Sequence, residues 1–124
     1  MDIDNLTLKE IREIQSFSLA SSKGLDGFMI GRKVIIRTYS AGVWYGELAQ
    51  KSGNEVILKD ARRMWQWFAA ESISLSGCAN YGINQSKSRI APAVSQVWLE
   101  AIEILPCTDV AIKSFDGAEN AKAN

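Results

Sequence analysis

Between residues 34 and 67 the chain reads as a meander of short strands. Val34-Ile35-Ile36-Arg37-Thr38-Tyr39 is β-branched and aromatic, which suits a pleated, half-buried strand. Ala41-Gly42 marks a tight turn, Val43 to Ala49 a second strand, and Ser52-Gly53-Asn54 another turn. Gly46 inside the second strand predicts a bulge or sharp bend. Glu55 opens a third strand that bends at Asp60 and continues through Trp67. Upstream, Thr7 and Glu10 have capping-box spacing, and Leu8, Ile11, Ile14 and Phe17 recur near the helical period, predicting an amphipathic helix over 7–19. Downstream, the Ala/Ser-rich stretch 69–79 predicts a short helix and 80–88 a polar loop. Val94, and then Val97 to Leu105, predict a returning strand stopped by Pro106. Thr108-Asp109 caps a last helix through about Phe115, and the small polar residues 116–124 predict a disordered tail.

This order predicts an α+β fold: a small bent antiparallel β-sheet or Sm-like barrel with an N-terminal helix and a short C-terminal helix. The whole of 1–115 reads as a single domain. Small barrels of this type pair edge strands between subunits, so a homo-oligomer is expected.

Composition narrows the function. Of 124 residues, 47% are hydrophobic, enough for one real core. Formal net charge is zero, which weighs against indiscriminate or stable nucleic-acid binding. The charge is nevertheless uneven: residues 23–99 hold ten Lys/Arg against five Asp/Glu, and acidic ends cancel the surplus. Histidine is absent, which removes the commonest general base and transition-metal ligand. Cys78 and Cys107 lack metal-site spacing and read as buried free thiols, with a disulfide between them as the alternative. Glu100 and Glu103 are separated by an odd number and face opposite sides of a strand. With no phosphate-loop pattern either, neither an enzyme, a metal site nor a cofactor is expected. Nothing resembles a signal peptide or a membrane span of roughly 20 apolar residues, so a soluble intracellular protein is expected.

Three constellations remain. On a regular strand Arg37 and Tyr39 share one face, with Thr38 on the other, and Ser40 adds a hydroxyl at the turn. Arg63, Trp65 and Trp67 share a second face, opposite Arg62, Met64 and Gln66. Arginine binds phosphate bidentately and an indole stacks on a base, so both groups suit a ligand with phosphates and flat rings. Each also has a plainer reading, as solvated arginines and packed tryptophans. Asn80, Tyr81, Asn84, Gln85, Lys87 and Arg89 form a third, polar group that could read base edges and hold charge. The candidate ligand contacts are therefore Arg37, Thr38, Tyr39, Ser40, Arg62, Arg63, Trp65, Lys87 and Arg89.

Three blocks carry a family resemblance: Arg37 to Gly42, Ala61 to Trp67, and Glu100 to Thr108. In order and spacing, from about Val34 to Ile112, the chain resembles the Thoeris anti-defence protein 1 family of phage sponges. The resemblance implies a non-enzymatic protein of the infected bacterial cytoplasm. It would bind glycocyclic ADP-ribose, a cyclic ADP-ribose isomer made by bacterial TIR proteins, and hold it intact. It also implies dimers or hexamers with pockets at subunit interfaces, and in some members a separate site for cyclic trinucleotides. The alternative function is an Sm-like RNA-binding or protein-interaction module.

Overall fold

The computed structural model describes residues 27–122. The helix expected over 7–19 lies outside the described residues. Five strands and two helices follow in the order β1 (Lys33–Thr38), β2 (Val43–Ser52), β3 (Glu55–Gln66), α1 (Ser74–Tyr81), β4 (Arg89–Ile90), β5 (Val94–Pro106) and α2 (Asp109–Asp116). The domain is α+β, an antiparallel sheet with two helices, and among the described residues no helix is long and apolar enough to cross a membrane.

The meander forms where the turn chemistry places it. Gly42 takes φ 87° between β1 and β2, and Gly53 takes φ 59° between β2 and β3. Both angles are left-handed, open to glycine at no steric cost. Thr38 locks the first turn: its hydroxyl accepts from Ala41 N at 2.8 Å and donates to Gly42 O at 2.8 Å. The bend in β3 falls at Asp60, whose φ is 50°. Opposite it the β2–β3 register slips between Tyr45 and Glu47, at Gly46. A Cβ on Gly46 would lie 3.0 Å from Lys59 O and 3.1 Å from Ala61 Cα, so the two backbones touch there because the residue has no side chain.

β2 pairs with β1 and β3, and β5 also pairs with β1 and β3, so four strands make a ring of pairings. Strand alternation then builds two cores. Val34 and Ile36 of β1 join Trp44, Leu48, Leu58 and Leu99 in one. Ile35, between them, faces the other way and meets Tyr45, Met64 and the helices through Cys78, Ala111 and Phe115. Each fully buried Ile, Val, Leu or Phe side chain contributes about 1.5–3 kcal/mol. Tyr45 and Phe115 stack with centroids 4.3 Å apart at 12°, and the phenol donates to Asp116 Oδ1 at 2.9 Å.

α2 starts where the capping signal predicted: Thr108 accepts from Ala111 N at 3.2 Å. Its hydroxyl also donates to Asn80 O at 2.7 Å, tying the start of α2 to α1. Thr108→Ala is expected to lower stability by about 1–2 kcal/mol, read as a lower urea midpoint with an unchanged slope.

Both thiols are free and buried, in the core beneath the helices. Burial pushes Cys78 up to about 11 and Cys107 up to about 12, the latter also through Cys78 and Asp116, opposed by Arg32 and Lys33. Burial and the Asp116 bond also raise Tyr45 above the ordinary phenol range. These groups fold in their neutral forms. Their raised folded values make the contribution complete below the unfolded thiol value, near 9, and lost as pH rises through 11 and 12. Stability is therefore expected to fall on going from pH 9 to pH 11 in denaturant titrations, and iodoacetamide at neutral pH to label neither thiol until the protein unfolds.

Candidate functional site

The second half of β3 sorts its side chains as alternation requires. Arg62 and Met64 turn inward, and Arg63 and Trp65 outward. Arg62, expected as a phosphate contact, is instead buried at 7% exposure and spent inside the domain. Its guanidinium donates to Ala91 O at 2.9 Å, Phe115 O at 2.7 Å and Asn120 Oδ1 at 2.9 Å. Desolvation lowers its pKa, opposed by Asp116 and Tyr45. With its donors aimed at internal oxygens, it acts as an internal tie. Arg63 lies over the Trp44 ring at 4.3 Å and donates to Ala41 O at 2.8 Å, so it braces the β1–β2 turn from outside.

At the β1–β2 turn, the structure brings Thr38, Tyr39 and Ser40 into one shallow cleft of about 170 Å³ with Trp98, Leu99 and Glu100. Tyr39 is 91% exposed. Arg37 shares the outward direction but is already held, with Nε 2.8 Å from Glu103 Oε1. Thr38 spends its hydroxyl within the turn. The surroundings are acidic, a poor setting for phosphate.

The other cluster is better furnished. β4 pairs with β3 through Gln66↔Arg89 and Met64↔Ile90, which carries Arg89 beside Trp65, with the guanidinium 5.7 Å from the ring centroid. The loop before β4 is pinned by its own polar groups: Asn84 N donates to Phe68 O at 2.7 Å and Phe68 N to Ser88 Oγ at 3.0 Å. Residues 117–122, read from the sequence as part of a tail, lie across this edge. Ala121 N donates to Ile90 O at 2.8 Å and Arg89 Nη2 to Lys122 O at 2.7 Å. Loop, strand and chain end enclose a polar cleft of about 640 Å³ lined by Gln85, Ser86, Ser88, Arg89 and residues 118–122. Its charged residues are Arg89, Lys122 and Glu119, a net positive lining. Lys87 is exposed on the same loop and Trp65 on β3, but neither lines the cleft; Trp65 adjoins it only through Arg89.

The sequence reading missed Ser86, Ser88, Asn120 and Lys122. Small polar residues near a chain end look the same docked or free; the unpaired demand of a buried Arg62 is what draws Asn120 in. Among the described residues, no group of three His, Cys, Asp or Glu side chains is placed to hold a metal ion.

Residues 31–115 match a family described as a domain of unknown function, DUF6948. The chain belongs to the DUF6948 family. No curated protein and no solved structure matches it. The DUF6948 match takes in all five strands and the Trp65–Arg89 pair, and it ends at Phe115 on α2, before the segment that closes the cleft.

Proposed function

We propose that this domain binds a nucleotide-derived signalling molecule of the cyclic ADP-ribose class and holds it uncleaved. The observation that carries the reading is Arg89, which lies against the exposed Trp65 ring and also lines the 640 Å³ cleft. Ligand pockets span roughly 300–1,000 Å³, and a cyclic dinucleotide-sized molecule fits that range. Arg89 and Lys122 supply charge for a pyrophosphate, Trp65 beside the cleft a face for adenine, and the Ser86 oxygen and the Asn120 amide N–H group, whose Oδ1 is held by Arg62, partners for ribose hydroxyls. To silence a trace signal a sponge needs about nanomolar affinity, roughly −12 kcal/mol. The cleft is open on one side, and a second subunit laid over it would supply the closure such affinity demands.

On this reading the ring of pairings is a small Sm-like barrel, the protein is a non-enzymatic phage anti-defence factor, a dimer or hexamer, and it works in the cytoplasm of the infected bacterium. Glycocyclic ADP-ribose is the first ligand to try, with cyclic trinucleotides the second. The protein is incubated with glycocyclic ADP-ribose, washed by filtration, heated, and the released material chromatographed. Intact ligand in the released fraction is the expected result; loss in the wash, or recovery as a cleaved product, ends the sponge reading. Single-stranded RNA could use the same exposed Trp65 and Arg89. Its sign would be retention of RNA that falls steeply with salt.

A further inference from the structure

Trp98 belongs to neither core. It is 59% exposed on β5, yet it is not loose: its indole N–H donates to Glu55 Oε1 at 3.0 Å. The β3–β5 register sets Ile57 opposite Trp98 and Glu55 opposite Glu100. Two carboxylates thus stand face to face on the outer surface beside a fixed aromatic ring. Like charges directly opposite across strands repel. Among the described residues the ion pairs join Lys33 to Asp116 and Arg37 to Glu103, and none relieves Glu55 or Glu100. A shallow cleft opens on each side of the ring. One, about 150 Å³, is lined by Glu55, Val56 and Ile57, and by Lys51, whose ammonium donates to Gly53 O at 2.6 Å. The other is the 170 Å³ cleft with Tyr39 and Glu100.

We propose that this face docks a basic segment of a partner protein, with an arginine side chain laid over the Trp98 ring and its charged head between Glu55 and Glu100. A cation over an indole is attracted by the ring quadrupole, and arginine stacks best. Carboxylates at the edge take the guanidinium N–H groups. The Glu55 bond fixes the ring in advance, so little ordering is lost on docking. The same carboxylates disfavour phosphate, which sets this face apart from the Arg89 cleft. The proposal does not depend on the sponge reading.

The probe is a tri-arginine amide titrated into the ¹⁵N-labelled full chain, following the Trp98 indole N–H signal, assigned by its loss in Trp98→Phe. A saturable shift of that signal is expected, with tri-glutamate leaving it in place. The double variant Glu55→Gln/Glu100→Gln keeps an acceptor for the indole and removes both charges; it is expected to weaken binding about tenfold or more. Trp98→Ala, on the surface and followed through the backbone amides of Glu55 and Glu100, should do the same with an unchanged melting curve. Equal affinity in the double variant, or a shift confined to the other tryptophans, overturns the proposal. So does a peptide that fails to bind while Trp98→Ala lowers the native oligomer mass, which would assign the face to a second copy of the chain.

Discussion

Arg62→Met is expected to lower the unfolding free energy by about 3–5 kcal/mol, the largest effect of any single substitution considered. The side chain reaches from β3 to the chain after β4, to the end of α2 and to the segment beyond it. Methionine fills much of the stem's volume but leaves the carbonyls of Ala91 and Phe115 and the amide of Asn120 without their donor. A buried acceptor without a partner costs about 1–3 kcal/mol, and several are exposed to that loss at once. A domain of this size is stable by only about 5–15 kcal/mol, so the variant should unfold at a markedly lower urea concentration. Its neighbour supplies the control. Arg63→Met removes a guanidinium that lies outside, over Trp44, and should cost about 1–2 kcal/mol, from a cation–π contact and one exposed hydrogen bond. If the two variants melt alike, Arg62 does not tie the domain together as described.

The second large effect concerns ligand retention. Trp65→Ala should weaken glycocyclic ADP-ribose binding by roughly 5- to 150-fold, the value of one base stacked on an aromatic ring. Arg89→Ala should weaken it comparably, through a lost charge-assisted hydrogen bond worth about 1.5–3 kcal/mol. Neither residue is in a core, so both variants should fold, which separates them from Arg62→Met. Arg37→Ala tests the choice between clefts. Its guanidinium is held by Glu103, so retention should barely change; a collapse of retention in Arg37→Ala with Arg89→Ala unaffected would move the site to the β1–β2 turn.

Much of the fold was legible because local chemistry decided it. Gly42, Gly53 and the Thr108 cap are short-range signals, and each stands where the residues put it. The bend at Asp60 and the register slip at Gly46 followed from one acidic residue and one glycine interrupting β-branched runs. Alternation also divided β3 correctly into Arg62 and Met64 against Arg63 and Trp65, but it fails at the strand's end, where Gln66 is exposed and Trp67 packs against the core of Tyr45, Met64 and Phe115. What alternation could not supply was which side is inside. Two adjacent arginines look equally fit for phosphate, yet one sits among carbonyls 28 to 58 residues away along the chain. The cleft was illegible for the same reason. Arg89 was singled out, but the wall facing it comes from small polar residues whose docking depends on Arg62 and Ile90, not on any pattern of their own. The sequence sets this helix over 69–79, whereas α1 runs Ser74–Tyr81, its start delayed by left-handed backbone at Ser72 and at its first residue, Ser74, that composition does not reveal.

The order in which the strands join has a consequence for the nascent chain. β1, β2 and β3 are linked by tight turns and can zip up as they leave the ribosome. The seam that finishes the ring joins Ile35 to Leu105 and Ile36 to Ile104, and it cannot form until β5 has been made. Until then Val34, Ile36, Leu48 and Leu58 face water or whatever shields them. Closing so long a loop is slow by comparison with a hairpin. Synthesis paused between Gln66 and Val94 would therefore leave a half-built, sticky sheet, and this stretch of translation is where a chaperone has the most to do.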